Sequence, residues 1–200
     1  MTATLPLFPL RTVLVPGASL GLRIFEARYL DLMRDCARNG TGFGVCVLLD
    51  SPLLDDSTPE GRKAVEPATP AMIGTEARIE DFGATPEGLL TISARGGRRF
   101  RVRETHARSN GLLVGEVEWC DRDPDDELRP QHALLGTLLQ LVIEQVGGEF
   151  SKAPPSRFDD AAWVSWRLVE LLPLDNAQRL GLLEEDDPHV RLDRVLAWMP

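Results

Sequence analysis

Residues 5–33 read LPLFPLRTVLVPGASLGLRIFEARYLDLM, and this stretch decides the fold of the N-terminal part of the chain. Two short apolar runs, residues 5–10 and 13–15, are bounded by prolines and a glycine, which is typical of strand segments interrupted by bends. Because proline lacks the N–H group that a sheet ladder needs, Pro6 and Pro9 favour a sheet edge or a bulge.

A strand and a helix are predicted after the turn residues Pro16-Gly17. Apolar residues alternate with Gly and Arg over residues 20–24, which predicts a half-buried strand. The helix is predicted to begin near Glu26 and to end at Asn39-Gly40. Apolar residues at three- and four-residue steps predict its buried face: Phe25, Tyr29, Leu32, Met33 and Cys36.

Length and charge limit the classes of function. The chain has 200 residues and a net charge of −9, so it can form one large domain or two small subdomains. The negative charge repels phosphate backbones and anionic membranes, so charge disfavours nucleic-acid binding. No run approaches the roughly 20 apolar residues that span a bilayer, and the start of the chain lacks a signal-peptide pattern. We therefore expect a cytoplasmic protein without a membrane partner.

Strands dominate the first 120 residues. Short apolar or alternating runs predict further strands at residues 42–49, 72–82, 89–94, 99–103 and 112–119. Residues 50–70 interrupt this series with four prolines and several acidic residues, so we expect a long exposed loop that is disordered or functional, with disorder as the first expectation.

The remaining residues change to helical periodicity. Apolar spacing predicts a long helix from Leu128 to Val146, and a second helix through residues 163–172 that Ser156 and Asp159 would cap. Asp175 is predicted to cap a short helix, and Asp187 a last one. We therefore divide the chain into a β-rich subdomain, residues 1–122, and an α-helical subdomain, residues 123–200.

Several of these segments together resemble a known family. In chain order they are LPLFPL (5–10), VLVPG (13–17), RIFEARYLDLM (23–33), IGTEARI (73–79), GGRRFRV (96–102) and the C-terminal helical stretch 163–199. Their order and spacing resemble the N-terminal substrate-binding domain of Lon proteases. The resemblance implies an α+β fold, in which a twisted PUA-like β pseudo-barrel with one helix precedes an α-helical bundle. It also implies binding of unfolded or tagged polypeptides.

The chain departs from the full proteases of this family. It has no G-x-x-x-x-G-K-[ST] phosphate loop, and it ends before an AAA+ module or a Ser-Lys peptidase domain could begin. The resemblance therefore implies a stand-alone, non-enzymatic binding module whose partners are protein or peptide clients.

Residues of the opening stretch are the candidate binding site for such clients. We expect a peptide or partner protein to contact Phe8, Phe25, Glu26, Arg28 and Tyr29, because the family motif concentrates at the start of the helix. A second interpretation stays open, in which Tyr29 packs inward while Glu26 and Arg28 only lock the junction between strand and helix.

One arginine-rich segment, residues 95–108, supports an alternative function. The alternation at residues 99–103 predicts Phe100 and Val102 inward and the arginines outward, where Arg99 and Arg101 could bind an anion. This hypothesis is small-molecule or RNA binding. The competing interpretation is a solvated strand face paired with acidic side chains.

No cofactor, metal or catalytic site is predicted. The three histidines, His106, His132 and His189, lack the spacing of metal ligands, and the three cysteines are far apart and are expected to be reduced and mostly buried. The adjacent pair Ser151-Lys152 lacks any sign of an oxyanion hole, so a hydrolase is not expected.

Overall fold

The structure, a computed structural model, describes residues 2–49 and 69–199. The N-terminal part contains strands and one helix: β1 (Thr2–Leu10), β2 (Ser19–Ile24), α1 (Ala27–Asn39), β3 (Phe43–Leu49), β4 (Thr69–Ala84), β5 (Leu90–Ala107) and β6 (Leu113–Trp119). The loop predicted at residues 50–70 lies outside the described residues, apart from its last two, which begin β4.

The strands close into a barrel. β5, β4, β3, β1 and β6 are neighbours in that order, and pairing between β5 and β6 completes the ring. β1 and β3 are parallel, while the other pairs are antiparallel. β2 pairs with β5 outside the ring, and within the described part of the chain its other edge carries no strand.

β1 accommodates both of its prolines by changing partner along its length. Residues 2–6 pair with β6, and residues 7–10 pair with β3. Pro6 and Pro9 therefore each have a paired strand on one side only, although β1 as a whole lies between two strands. The side without a ladder tolerates the missing N–H group.

Two strand predictions are wrong around residue 96. β5 is one long strand instead of two short ones, and residues 13–15 form a buried loop instead of a strand. The reason is a close crossing, because a Cβ atom on Gly96 would lie 2.2 Å from the carbonyl oxygen of Val15. Glycine at this position lets the loop cross β5, and the Gly17 N–H donates to the Gly96 oxygen at 2.8 Å.

Helix α1 agrees with its prediction at the C-terminal end and differs at the start. Gly40 has a φ of 64° and ends the helix in the left-handed conformation. Leu32, Met33 and Cys36 are buried as expected. The placement of Phe25 on the buried face was wrong, because Glu26 has an extended backbone and helical periodicity does not reach the residue before it.

The C-terminal part is helical: α2 (Ala133–Val146), α3 (Ala161–Leu171), α4 (Asn176–Glu184) and α5 (Pro188–Ala197). The start predicted for α2 was too early, since a 3-10 turn at Pro130–His132 precedes it. β6 ends before residue 120 and α2 begins after residue 132, and the boundary at residues 122 and 123 stays a prediction.

Aspartates begin the last three helices. Asp175 and Asp187 cap α4 and α5 as predicted, and Asp175 forms a full capping box with Gln178. The cap predicted for α3 was wrong: the side chain of Asp160 accepts the Trp163 N–H at 3.0 Å. Residues 155–159 form a 3-10 helix of their own, so the residue that follows it becomes the cap.

Two apolar clusters hold the fold together. The smaller one lies inside the barrel, where Gly44 leaves room for the side chains of Leu7 and Phe100. The larger one is continuous from the strands to the helices and includes Ile24, Leu168 and Leu192. The barrel and the helices therefore share one hydrophobic core.

Candidate functional site

An apolar groove of about 770 Å³ opens on one side of the barrel. Its walls come from the end of β1, from β2 and the start of α1, and from the ends of β3, β5 and β6. The apolar residues along it include Phe8, Leu10, Leu22, Ile24, Phe25, Tyr29, Leu48 and Leu113. A cleft of this size and character is typical of a binding site.

Aromatic rings that contact one another at tilted angles form part of the wall. The rings of Phe8 and Tyr29 lie 4.1 Å apart between centroids, and the rings of Phe8 and Phe43 lie 5.9 Å apart. Phe8 is buried at the end of β1, while Tyr29 is half-buried in the first turn of α1. The contact fixes the start of α1 against the barrel, so this wall is formed before any ligand arrives.

Charged side chains lock the start of α1. Arg28 pairs with the Glu26 carboxylate, with Nε at 2.8 Å from Oε2, and also donates to the carbonyl oxygen of Gly111 at 2.8 Å. Its guanidinium carbon lies 4.8 Å from the centroid of the Tyr29 ring. These contacts fit the interpretation in which Glu26 and Arg28 lock the junction between β2 and α1. Both residues also line the groove.

The Tyr29 hydroxyl is in an environment that disfavours its ionised form. Burial raises the pKa of Tyr29, and the neighbouring Glu26 raises it further, while Arg28 opposes the change. Tyr29 therefore stays protonated at neutral pH and presents an apolar ring with a neutral hydroxyl.

Phe25 lies at the rim of the groove with 71% of its surface exposed. The exposed ring adjoins the apolar residues of the cleft, so it extends their apolar surface to the rim. All five residues predicted to contact a peptide or partner protein thus line one groove: Phe8, Phe25, Glu26, Arg28 and Tyr29. That they bind a ligand remains a prediction.

The outer edge of β2 pairs with no strand among residues 2–49 and 69–199; this edge, called the free edge below, borders the same groove. Leu22, Arg23 and Ile24 belong to β2 and line the groove. A strand edge without a neighbour presents backbone N–H and C=O groups that can pair with an added chain. The local sequence pattern did not reveal this edge, because the order of strands in a sheet depends on residues far apart in the chain. The groove residues on β3 and β6 were not predicted either.

Arg99 lies elsewhere than predicted, while anion binding by Arg101 stays a prediction. The prediction that the arginines face outward is wrong for Arg99, which is only 4% exposed. Arg99 donates to the carbonyl oxygens of Leu183 and Glu185 at 2.9 and 3.0 Å. Arg101 is half-exposed and donates to the carbonyl oxygen of Glu184 at 3.3 Å. Both side chains fasten β5 to the C-terminal end of α4, and Arg99 is buried in this contact.

None of the described helices is both long and apolar enough to cross a membrane. In the same part of the chain, no group of three or more His, Cys, Asp or Glu side chains is arranged to hold a metal ion.

Comparison with solved structures identifies similar folds. A Lon N-terminal domain protein from Xanthomonas campestris is 52% identical in sequence, with a TM-score of 0.80 and coverage of 99% of each chain. The N-terminal domain of a Lon protease from the Mycobacterium avium complex is 18% identical, with a TM-score of 0.66 over 98% of this chain and 97% of that one. The second likeness concerns the fold alone.

Comparison with curated proteins finds two Lon proteases. The protease of Flavobacterium johnsoniae is 26% identical over 145 residues, which are 72% of this chain and 17% of that protein. The protease of Parabacteroides distasonis is 26% identical over 150 residues, 72% of this chain and 16% of that protein. The chain thus matches about a sixth of the length of these relatives.

A family model matches nearly the whole chain. The model for the substrate-binding domain of ATP-dependent protease La (LON) covers residues 4–200, and the barrel followed by helices agrees with the solved Lon N-terminal domains. The chain therefore belongs to the LON substrate-binding domain family.

Proposed function

We propose that the groove binds extended, apolar segments of client or partner proteins and that the chain acts without catalysis. The observation that carries this proposal is the exposed ring of Phe25 at the rim of a preformed apolar groove. Binding would remove that ring from water, and full burial of one such side chain contributes about 2 kcal/mol.

The groove suits a chain of variable sequence. Apolar walls attract side chains by area and not by directional contacts, so they tolerate many residue types. The free edge of β2 offers backbone hydrogen bonds that every polypeptide can make, and peptides commonly bind other proteins by adding a strand to a sheet edge. The two features together favour an extended polypeptide as the ligand.

The family name supports the same class of ligand. The matching family is described as a substrate-binding domain of an ATP-dependent protease, and substrates of a protease are polypeptides. A role in delivering clients to a separate protease is part of this proposal. The catalytic activity of the full-length relatives is not assigned to this chain.

The charged groups of the groove fit a binding role. Glu26 and Arg28 are occupied by each other, and the Tyr29 hydroxyl is held in its neutral form. Among the described residues that line the groove, no hydroxyl or thiol nucleophile lies in contact with a general base.

A binding measurement with a matched control tests the proposal. We expect a fluorescently labelled, permanently unfolded protein to bind the wild-type chain saturably, and Phe25→Ala to weaken binding about tenfold, which corresponds to about 1.4 kcal/mol. Leu134→Ala is the control, because Leu134 is 77% exposed and does not line the groove. Fluorescence anisotropy measures both variants.

The salt dependence separates this function from the arginine-based alternative. Binding through an apolar groove should change little with salt, whereas anion binding should weaken steeply. The proposal is wrong if unfolded polypeptide does not bind, or if Phe25→Ala and Leu134→Ala weaken binding equally.

A further inference from the structure

The free edge of β2 presents the backbone groups of every second residue. At the start of the pairing with β5, the Gly96 N–H donates to the carbonyl oxygen of Ala18 at 2.9 Å, which continues the register of the two strands. Hydrogen-bonded residues alternate along an antiparallel strand, so the even-numbered residues of β2 direct their backbone groups toward β5. The odd-numbered residues, Ser19, Gly21 and Arg23, therefore direct their N–H and C=O groups toward the free edge.

Hydrogen bonding on the other side of β5 agrees with this assignment. Where β4 turns into β5, the Thr85 N–H donates to the carbonyl oxygen of Leu89 at 2.8 Å. Continued along the register, this bond directs the odd-numbered residues at the start of β5 toward β4 and leaves the even-numbered ones for β2. The even-numbered residues of β2 lie opposite them and thus face β5.

The second half of the free edge is open to an added strand. At the first end, the Ser19 hydroxyl donates to the Glu149 carboxylate at 3.3 Å, so this end lies against another segment. A Cβ atom on Gly21 would meet no heavy atom from elsewhere in the described chain within 4 Å. The side chain of Arg23 is exposed. An added strand can therefore reach the backbone of Gly21 and Arg23.

Arg23 also carries a charge that a ligand can reach. The described residues that line the groove include two arginines and one glutamate, although the whole chain has a net charge of −9. Arg28 is engaged by Glu26 and by the carbonyl oxygen of Gly111. Arg23 forms no salt bridge with a carboxylate of residues 2–49 or 69–199. Among the described charges of the groove, Arg23 is thus the one left for a ligand.

The alternation of β2 defines the sequence pattern that an added strand must match. Leu22 is half-buried and Ile24 is buried, whereas Arg23 between them is exposed on the opposite face. In an added strand, the residue opposite Arg23 lies on the same face as Arg23, and its two neighbours lie on the face of Leu22 and Ile24. We propose, on the basis of the binding function proposed above, that the groove selects extended client segments in which an acidic residue stands between two apolar ones.

Charge favours a client over a second copy of this chain at the free edge. Opposite charges on neighbouring strands attract and like charges repel. Two β2 edges paired with each other would bring both Arg23 side chains onto one face of the shared sheet. A single exposed ion pair contributes little affinity, so Arg23 selects among segments that the apolar walls already attract. The weak salt dependence expected for the groove is therefore retained.

Two synthetic peptides test the selectivity. Both alternate apolar and polar residues, and they differ at one central polar position, which is glutamate in one and glutamine in the other. Fluorescence anisotropy is measured at about 0.15 M salt, where exposed charges more than about 8 Å apart are largely screened. We expect the wild-type chain to bind the glutamate peptide about threefold more tightly than the glutamine peptide.

A matched pair of variants assigns this preference to Arg23. Arg23→Gln should bind the two peptides equally, because the cross-strand ion pair is lost. Arg38→Gln is the control, since Arg38 is exposed, lies outside the groove and carries the same charge. This control changes the net charge of the chain equally and should keep the threefold preference.

A proline tests the use of the free edge. Gly21→Pro removes an N–H group that faces this edge and leaves the bonds between β2 and β5 in place, and edge strands tolerate proline. Both peptides should bind Gly21→Pro about fivefold more weakly than the wild type, because a backbone hydrogen bond is lost. Gly21→Ala keeps the N–H group and has room for its Cβ atom, so it should bind as the wild type does.

The possible results distinguish the selectivity from the function on which it rests. If both peptides bind the wild-type chain equally, or if Arg23→Gln and Arg38→Gln show the same preference, the selectivity is wrong and the proposed function stands. Equal binding by Gly21→Pro and Gly21→Ala also overturns it. If neither peptide binds the wild-type chain, the proposed function and the selectivity are both wrong. Dimerisation of the chain that Gly21→Pro abolishes would assign the free edge to a second copy and overturn the inference.

Discussion

At the scale of single residues, the side chain of Asp123 joins α3 to α5. Its carboxylate accepts the indole N–H of Trp166 at 2.6 Å and pairs with Arg191 at 2.8 Å. The Arg191 guanidinium lies 3.8 Å from the centroid of the Trp166 ring and has no exposed surface. Burial lowers the pKa of Arg191, and Asp123 opposes that change more than Glu185 does, so Asp123 is the main counter-charge of this buried guanidinium.

Removal of the Asp123 carboxylate should therefore destabilise the folded protein. We expect Asp123→Ala to lower the free energy of unfolding by about 3 kcal/mol, because it leaves a buried guanidinium without its counter-charge. Urea unfolding measures the loss. Asp125→Ala is the matched control, since Asp125 is exposed and should change stability by less than about 0.5 kcal/mol. Equal stability of the two variants would contradict a structural role for Asp123.

The three cysteines should be unreactive while the protein is folded. All three are buried and free, and burial raises the pKa of Cys46 to about 12. Since the thiolate is the reactive form, we expect a thiol reagent to modify Cys46 only after unfolding. The variant that combines Cys36→Ser with Cys120→Ser leaves Cys46 alone for this measurement, with and without urea. A native rate equal to that of free cysteine would show that Cys46 is not buried.

At the scale of elements, the end of α1 depends on a backbone conformation. Gly40 has a φ of 64° and open space around the position of a Cβ atom, so a substitution there is opposed by the backbone alone. We expect Gly40→Ala to cost about 1 kcal/mol in the free energy of unfolding. Gly21→Ala is the matched control: it also has open space but no positive φ, and it should cost nothing.

Local patterns predicted most elements, because the forces that define them act between near neighbours. The buried face of α1, the stop at Gly40 and the cap at Asp175 depend on residues within about one helical turn. Predictions failed where a segment distant in sequence determines the local backbone structure. The crossing of residues 13–15 over Gly96 turned one expected strand into a loop and joined two others.

The same distinction applies to the sites. The groove residues near α1 were found because the opening stretch carries them in one continuous segment. The free edge of β2 escaped prediction, since it depends on the pairing of β2 with β5, and these strands are distant in sequence. Arg99 was misplaced because alternation shows which side of a strand a residue occupies, but not what covers that side.

At the scale of the whole molecule, the barrel and the helices are joined by apolar and charged contacts together. The larger hydrophobic cluster continues from the strands into the helices, so unfolding of one part exposes the core of the other. Arg167 on α3 adds a charged contact, donating to the carbonyl oxygen of Gly17 at 3.1 Å. Arg99 on β5 adds another through the carbonyl oxygens of Leu183 and Glu185 at the C-terminal end of α4. We therefore expect the described parts to unfold together.

A substitution of Arg99, which lies between the barrel and the helices, should let the helices open independently of the barrel. Native-state hydrogen exchange of the wild-type chain should show amides in β5 and α5 opening with the same free energy, which is that of global unfolding. Arg99→Met keeps the approximate size of the side chain but removes its contacts with Leu183, Glu185 and Asp186, so α5 should open at lower free energy than β5. Arg103→Met, on the same strand but paired with Glu118 of β6, should leave the two values equal. If α5 and β5 still open together in Arg99→Met, the apolar cluster alone couples the barrel to the helices.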